Sequence, residues 1–599
     1  MAFDVAYIAK DLKPMKKNFI LLLLITFFCT TLSAQVVLVP LENDVYDFLE
    51  RMQVKGMTGR YYDGIKPMPR TDIREYLVRV DDYDEYVNLS LADIEQLQRF
   101  LEEFSYESKY TPSIEELSSQ FIEDFINVLF DEDADTTYTE EEKWKLLKFP
   151  YKFYSGDSYI SFEPKFQAEY NVNSSDTNTF AENYQRLTGG GYIFGYLGDN
   201  IGFSFDGVNN AVHGNIFDVK KIDCPEQGIG VEHKRDGSYY YEEVDAAVSF
   251  STKYADITIG RFSNFWGCGR TGSVSLSNKA PSYPQIMVRA KFNDWLRFVY
   301  FHGWLESNIL DDSTSYWINY GDDQAYEREF YKKKYIAAHR LEIAPSGKFS
   351  FGLSELLYYG ERDAEFVYFI PIMLFWSAQR YTNDQDNEMI GLDYEWIPFF
   401  GIKTYGSLLI DEIALSKMFN KNESHNYVAY QLGAYLVEPF MTGLDFRIEY
   451  THLNPWVYTH KFPVNFATSD DYWMGYWTGQ NADNLYLGID YQLNSKLKFS
   501  ADLSLYRKGA QDSIKYQYQI PPVEKFLYGH QYTKNTFSLK CSYEILPELE
   551  TELGFRYTDC NVNEENIALA EQGEYVNPVY YKSDFTQTTI SILLSYRFD

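Results

Sequence analysis

One pattern constrains what this chain can fold into. From about residue 150 to the end at 599, apolar and polar residues alternate with a period of two, segment after segment. Period two sends successive side chains to opposite faces of an extended strand. In the last segment Ile590, Ile592, Leu594, Tyr596 and Phe598 share one face, and Ser591, Ser595 and Arg597 the other. Leu485, Leu487, Ile489, Tyr491 and Leu493 repeat the pattern before Asn494-Ser495, and Leu497, Phe499, Ala501, Leu503 and Leu505 resume it. A further strand carries Phe537, Leu539, Cys541, Tyr543 and Ile545, and after Pro547-Glu548 another carries Thr551, Leu553, Phe555 and Tyr557. Such segments have the roughly 9–11 residues that a tilted membrane strand needs. Their polar faces hold Asp490, Lys498, Asp502, Lys540, Glu544, Glu550, Glu552 and Arg556, charges of both signs that suit a polar lumen. A soluble β-sandwich would alternate too, but one sheet pattern over so long a region, with no second domain signal, argues for a closed barrel. At roughly 20–28 residues per strand and loop, the expectation is an all-β transmembrane barrel of about 16–20 antiparallel strands, best count 18.

Composition agrees. Aromatics make up 18%, with 54 Tyr and 44 Phe, although mean hydropathy is only -0.38. A sheet with one face in lipid and aromatic girdles at both interfaces uses such residues, which combine apolar bodies with polar tips. The net charge of -33 excludes nucleic acid as a partner, because that binding rests on cations that neutralise phosphate. It also excludes simple adsorption to anionic lipid. Past the N-terminal segment no apolar run has the length of a membrane helix, so a membrane form must cross as strands, closed to satisfy every backbone group. Cys224, Cys268, Cys541 and Cys560 are scattered without metal-ligand spacing, and their pairing stays open.

The N-terminus reads as an export signal. Met15-Lys16-Lys17 is basic, Phe19 to Phe28 is apolar, and Leu32-Ser33-Ala34 ends in small residues. Met15 reads as the start, cleavage is expected near Ala34, and Cys29 after two phenylalanines does not resemble a lipoprotein site. Residues 41–130 read as helical. Val45, Phe48, Leu49 and Met52 recur at helical spacing; Thr71 to Leu77 follows Pro69. Ser90 caps a helix carrying Leu91, Ile94, Leu97, Leu101 and Phe104, and Ser113 caps another carrying Leu117, Phe121, Phe125 and Leu129. Asp131 to Glu142 is an acidic linker. The expected organisation is 1–34 upstream extension plus signal peptide, 35–145 periplasmic helical head, and 146–599 outer-membrane barrel. The ending Tyr596-Arg597-Phe598-Asp599 is similar to the terminal signal read by barrel-assembly machinery, with its aromatic one place early.

Several segments together resemble the Wzi capsule-assembly family, especially its versions from the Bacteroidetes. They are Val45-Tyr46-Asp47-Phe48-Leu49 with Lys66-Pro67-Met68-Pro69-Arg70; Gly260-Arg261 and Phe265-Trp266-Gly267-Cys268-Gly269 leading into Ser275-Leu276-Ser277-Asn278-Lys279-Ala280-Pro281; Gly352-Leu353-Ser354-Glu355 with Pro371; Asp386-Asn387 with Gly391-Leu392-Asp393 and Tyr405 to Asp411; and Arg447-Ile448-Glu449-Tyr450-Thr451 with Asn454-Pro455 and Tyr458-Thr459-His460. The resemblance implies an 18-stranded barrel in the outer membrane of a Gram-negative bacterium, with a helical bundle at its periplasmic mouth. It implies a lectin-like partner of surface polysaccharide or lipopolysaccharide, without enzymatic activity and without a cofactor.

The candidate ligand-binding residues are Trp266, Arg270, Asn278, Glu355, Asp386, Asn387, Asp393, Asp411, Arg447, Glu449 and Tyr450. Each has a structural alternative. Trp266 is either a sugar-stacking platform with Arg270 as donor or packing at a glycine-rich bend, and packing is favoured. Asp384 to Glu388 spaces oxygens as calcium does but lacks the glycine and distal glutamate of a calcium loop; a lumenal hydrogen-bond network with Glu355, Asp393 and Asp411 is favoured. Arg447 and Glu449 share a face, where ion pairing is favoured over contact with sugar hydroxyls. His452 and His460 read as structural. No nucleophile, base and orienter assemble in a recognisable motif. The competing functions are a glycan-binding assembly protein, an uptake channel for a small solute or oligosaccharide, and an assembly partner of another envelope complex; outer-membrane lipid and the assembly machinery are expected contacts.

Overall fold

In the computed structural model the described residues are 36–82, 89–105, 151–155, 158–177, 183–198, 200–214, 220–252, 254–319, 325–382, 385–412, 426–511, 524–546, 548–571 and 581–597. The signal segment, the helix expected after Ser113, the acidic linker, the boundary at 145, Asp384 and Phe598 lie outside them.

The alternating region folds into one closed ring of antiparallel strands. Its first six are β1 (Ser158–Ser175), β2 (Tyr184–Leu197), β3 (Ile201–Gly214), β4 (Ser238–Ser251), β5 (Ala255–Phe262) and β6 (Tyr283–Asn293). The next six are β7 (Leu296–Leu305), β8 (Lys334–Ser346), β9 (Phe349–Gly360), β10 (Asn387–Phe399), β11 (Ile402–Glu412) and β12 (Tyr427–Leu436). The last six are β13 (Leu444–Leu453), β14 (Ala482–Asn494), β15 (Leu497–Lys508), β16 (Tyr532–Leu546), β17 (Leu549–Val562) and β18 (Phe585–Arg597). Each pairs with its chain neighbours, and β18 closes on β1 through a ladder from Gln587↔Ser175 to Arg597↔Lys165. Closure pairs every strand on both sides, so no edge is left for lipid to face. Apolar side chains point outward as the alternation predicts: Phe166, Ile390, Leu553, Ile590, Ile592 and Leu594 are exposed on the outer wall. No helix among the described residues is long and apolar enough to cross a membrane.

The two ends of the barrel differ. One carries tight turns such as Asn494-Ser495, and the other carries long connections, including residues 263–282, 361–386 and 454–481. In bacterial barrels the short turns face the periplasm and the long loops the exterior. The N-terminal helices dock at the short-turn end. They are α1 (Val45–Val54), α2 (Arg70–Asp81) and α3 (Leu91–Glu103). Ser90 caps α3 as expected, accepting from the Asp93 amide at 3.0 Å, while the Asp93 carboxylate accepts from the Ser90 amide at 2.9 Å. Val45, Leu49, Met52, Ile73, Leu77, Leu97 and Phe100 form the shared core of the three helices. One expectation fails here: Leu91 is 80% exposed, because it is the first residue of α3 and Ala92 and Asp93 turn inward instead.

Candidate functional site

The lumen is divided into a packed half and an open half. The packed half lies against β6–β13 and is built from both ends. The head sends Ile65-Lys66 up into the barrel, where it pairs with Phe265-Trp266 of the loop descending from β5. The Gly267 amide donates to the Gly64 carbonyl at 3.0 Å beside this pairing. Loop 454–481 fills the space above. Its Tyr458 hydroxyl donates to the Val274 carbonyl at 2.6 Å, and the Ser277 amide donates to the Met474 carbonyl at 2.7 Å. Trp266, Phe301, Tyr458, Met474 and Tyr476 belong to one buried cluster.

Ion pairs clasp the head to this half. Lys403 on β11 is fully buried and faces Glu50 at 3.1 Å and Asp63 at 3.2 Å from the head, and Glu395 on β10 at 2.5 Å. Arg447 on β13 grips Glu50 with both terminal nitrogens, at 3.2 and 2.8 Å. Arg51 pairs with Asp93 within the head, and with Glu438 at 2.6 Å and Asp445 at 2.8 Å on the barrel. On the next sector Arg297 of β7 pairs with Asp72 at 2.7 Å. Burial pushes the Glu50 carboxyl up, but Arg447 and Lys403 outweigh it and hold the group well below the usual carboxylate range. A buried charge survives only when it is paired and hydrogen-bonded in this way.

The open half is a cavity of about 1540 Å³ along β1–β5 and β14–β18. The head contributes Glu42, Arg70 and Glu103 to its lining, and the long-loop end contributes Glu306, Asn308 and Tyr331. The cavity therefore runs from the head toward the exterior. Arg70 is held between the rings of Phe104 and Phe194, each 4.2 Å from its guanidinium carbon. Its wall mixes tyrosines with ion pairs: Lys165–Asp206 at 2.5 Å, Arg186–Glu169 at 2.7 Å and Lys540–Glu552 at 3.2 Å. In the loop above, burial raises the Glu226 carboxyl, but Lys221 and the arginines Arg556 and Arg186 bring it down to about 2. Aromatic faces beside fixed hydrogen-bonding groups are the chemistry that recognises sugar rings and hydroxyls.

The sequence-derived candidates fall into four places. Trp266 is fully buried, 5.2 Å edge-on to Phe301, so here it packs and offers no face to a ligand. Arg270 reaches down to the Asp47 carboxylate at 2.7 and 2.9 Å, joining loop to head. Glu449 accepts from the Arg270 amide at 2.7 Å, the Thr271 amide at 3.1 Å and the Tyr405 hydroxyl at 2.8 Å. Arg447 and Glu449 thus share the lumenal face, but they pair with head and loop rather than with each other. Asp393 is lumenal and binds Arg340 bidentately at 2.5 and 2.7 Å; Asp411 accepts from the Tyr458 amide at 2.7 Å; Asn387 donates to the Asn465 carbonyl at 3.0 Å. These three serve the packed half. Asn278 is the one candidate that lines the open cavity.

The others lie outside the lumen, so the single lumenal network expected for Glu355, Asp386, Asp393 and Asp411 does not form. Loop 361–386 folds down over the outer wall, packing Tyr368, Phe375 and Ala378 on Tyr300, Tyr335, Leu357 and Tyr359. Glu355 points outward beneath it, accepting from the Phe375 and Trp376 amides at 2.9 and 2.8 Å and facing His339 at 2.9 Å. Asp386 closes the same loop through Arg362 at 2.7 and 2.8 Å and the Tyr368 hydroxyl at 2.5 Å, so its oxygens are filled by protein donors. Tyr450 also faces outward and donates to Asp483 at 2.9 Å. All four described cysteines are free thiols. The residues missed from sequence are Lys403, Arg340, Tyr405 and Glu50, and the cavity wall of Lys165, Asp206 and Glu243. For the charged strand residues among them the signal was charge at alternate positions, which marks a lumenal face without naming partners, whereas Glu50 on α1 and the uncharged Tyr405 carried no such signal.

Comparison with known proteins adds the following. The family of capsule assembly protein Wzi matches residues 132–570. No curated protein matches the chain. Among solved structures, Wzi of Escherichia coli is an outer-membrane protein involved in group 1 capsule assembly and a carbohydrate-binding β-barrel. It is 12% identical, covers 94% of this chain and 100% of its own, and superposes with a TM-score of 0.51. OprD of Pseudomonas aeruginosa is 12% identical and covers 73% of this chain and 95% of its own, with a TM-score of 0.38. At these identities the likeness to Wzi speaks for the fold.

Proposed function

The chain belongs to the capsule assembly protein Wzi family, and from that premise we propose that it is an outer-membrane barrel that binds or organises surface polysaccharide without catalysing a reaction. One observation carries the reading: a tyrosine-rich cavity of about 1540 Å³ reaches the long-loop end, while buried ion pairs hold the head in the opposite mouth. A transport channel has no use for a mouth clasped shut, whereas a glycan holder needs only its outer end open. The finer parts of the reading belong to the same proposal: a Bacteroidetes-like member, exported with cleavage near Ala34, inserted by the barrel-assembly machinery, surrounded by outer-membrane lipid, and contacting capsular polysaccharide or lipopolysaccharide.

The test uses the intact chain. Titration with polysaccharide extracted from the producing cells should give saturable binding, and planar bilayers should show no steady conductance. Large steady openings of the intact chain, without glycan binding, would overturn the proposal and leave uptake as the better account.

A further inference from the structure

The charge on the cavity wall says which glycans it can hold. Its lining includes fourteen Asp and Glu residues against eight Lys and Arg. Most of the cations are already engaged. Lys165, Arg186, Lys221, Lys534 and Lys540 each sit in an ion pair with a lining carboxylate, Lys221–Glu226 at 3.4 Å and Lys534–Asp223 at 2.5 Å among them. The carboxylates are not used up to the same extent. Among the described residues Glu42, Glu243, Asp245 and Asp502 have no cation at ion-pair distance, yet all four line the same space. Glu243 is held by a neutral donor, the Asn210 amide at 3.2 Å, which fixes the group without cancelling its charge. These residues come from the head, β4 and β15, so the excess surrounds the cavity instead of sitting on one surface patch.

Low-dielectric walls focus such a field into the space between them. A uronate or sulfate entering the cavity meets fourteen carboxylates against eight cations, and every engaged cation it could seek must first leave its partner. An amino sugar meets carboxylates already positioned to accept from its ammonium group, and a neutral sugar meets hydroxyl, amide and tyrosine partners without a charge penalty. We propose that the cavity is a charge filter that takes neutral or amine-bearing glycan segments, amine-bearing ones best, and turns away uronate-bearing ones. This rests on the reading that the cavity holds glycan.

The experiment reads the field directly and the glycan separately. Ser504 lines the cavity; Ser504→Cys in a Cys224→Ser, Cys541→Ser background of the full chain gives one accessible thiol in the cavity, Cys268 and Cys560 being buried, with Thr536→Cys as a second variant should the first fold poorly. Its reaction with a positively charged and a negatively charged methanethiosulfonate is compared with that of a free thiol. The expected result is a rate ratio shifted at least ~10-fold toward the cationic reagent, falling toward the free-thiol ratio on Glu243→Gln with Asp245→Asn and Asp502→Asn. A ratio equal to the free-thiol value, or favouring the anionic reagent, overturns the filter. In the second arm the unlabelled protein is titrated with glucosamine, N-acetylglucosamine and galacturonate hexamers and with polysaccharide from the producing cells. Tighter binding of the galacturonate than of the glucosamine hexamer also overturns the filter. A shifted ratio with no binding of any of these leaves the filter standing and removes the polysaccharide reading instead.

Discussion

Lys403→Met removes the cation at the centre of the clasp. Lys403 is fully buried and faces Glu50, Asp63 and Glu395 within 3.2 Å. Breaking a buried pair by deleting one partner costs about 3–5 kcal/mol, because the charge left behind stays buried and uncompensated. The surroundings decide where in that range the loss falls. Arg447 still holds Glu50 at 2.8 Å, and Lys66 still holds Asp63 at 2.7 Å. Glu395 is the carboxylate left without a cation; its remaining contacts are Ser350 at 3.3 Å and Gln53 at 3.5 Å. The lower end applies, about 3 kcal/mol. Undocking the head lets water reach Glu395 and relieves most of that cost, so the penalty falls on docking. At 1.4 kcal/mol per decade the docked-to-undocked ratio should drop roughly a hundredfold. Two readouts follow this ratio at pH 7.5: opening probability in planar bilayers and the rate of trypsin cleavage within residues 36–105. Both should rise by about two decades, and adding Glu395→Gln, which removes the orphaned charge, should recover most of the loss. Opening and cleavage within threefold of the parent, in a variant whose barrel is folded, would refute the view that this ion pair holds the head in place.

Three further outcomes are expected. Burial raises the carboxyls of Asp47, Glu50, Asp72 and Asp93 on the head, yet Arg270, Arg447, Arg297 and Arg51 facing them outweigh it and hold each below its ordinary value of 3.8 or 4.5. Their contribution is complete above the ordinary values and lost as pH falls through the lowered ones, so opening probability in planar bilayers should stay flat from pH 8 to 5 and climb below about pH 4; a climb between pH 8 and 6 would contradict it. Gly267 has φ +123°, and a Cβ there would lie 2.6 Å from the Ser273 hydroxyl. Gly267→Ala should therefore cost about 1–3 kcal/mol, seen as a lower temperature for the heat-induced gel shift of the barrel, and an unchanged shift would refute the strain. Glu355→Ala leaves two amides of the outer-wall loop without acceptors and should speed proteolysis between residues 361 and 386 severalfold, with the gel shift of the barrel little changed.

How much of this was legible in the sequence depends on what alternation can encode. Strand number, antiparallel closure and the three described helices of the head were legible, because period two, period 3.6 and caps such as Ser90 are local signals. The lumenal face was legible where the opposite face is apolar, as on β14–β18, where Ile590, Ile592 and Leu594 fix the outside and leave Asp502, Lys540 and Glu552 inside. It was not legible on β9, where Ser354 and Glu355 are both polar and either could face the lumen; the outward choice depends on loop 361–386, whose amides need the Glu355 carboxylate. Tyr450 failed for the same reason, since Asp483 gives it a polar partner on the outer wall.

Loop paths are the harder case. Nothing near Trp266 announces that its strand partner is Ile65, some two hundred residues earlier, and nothing near Lys403 names Glu50. What the sequence does show is necessity. A cation at a lumenal position of a strand, with apolar or aromatic residues around it, must find a carboxylate or pay several kcal/mol for staying buried. Lys403, Arg340 and Arg447 all stand at such positions, and so do their partners Glu395 and Asp393 on β10. The barrel half where these residues gather had to receive charges from elsewhere in the chain, and the acidic faces of α1 and its following loop supply them. On the β1–β5 side Lys165 and Arg186 find their carboxylates, Asp206 and Glu169, within the wall itself, so these cations do not call on the head for charge.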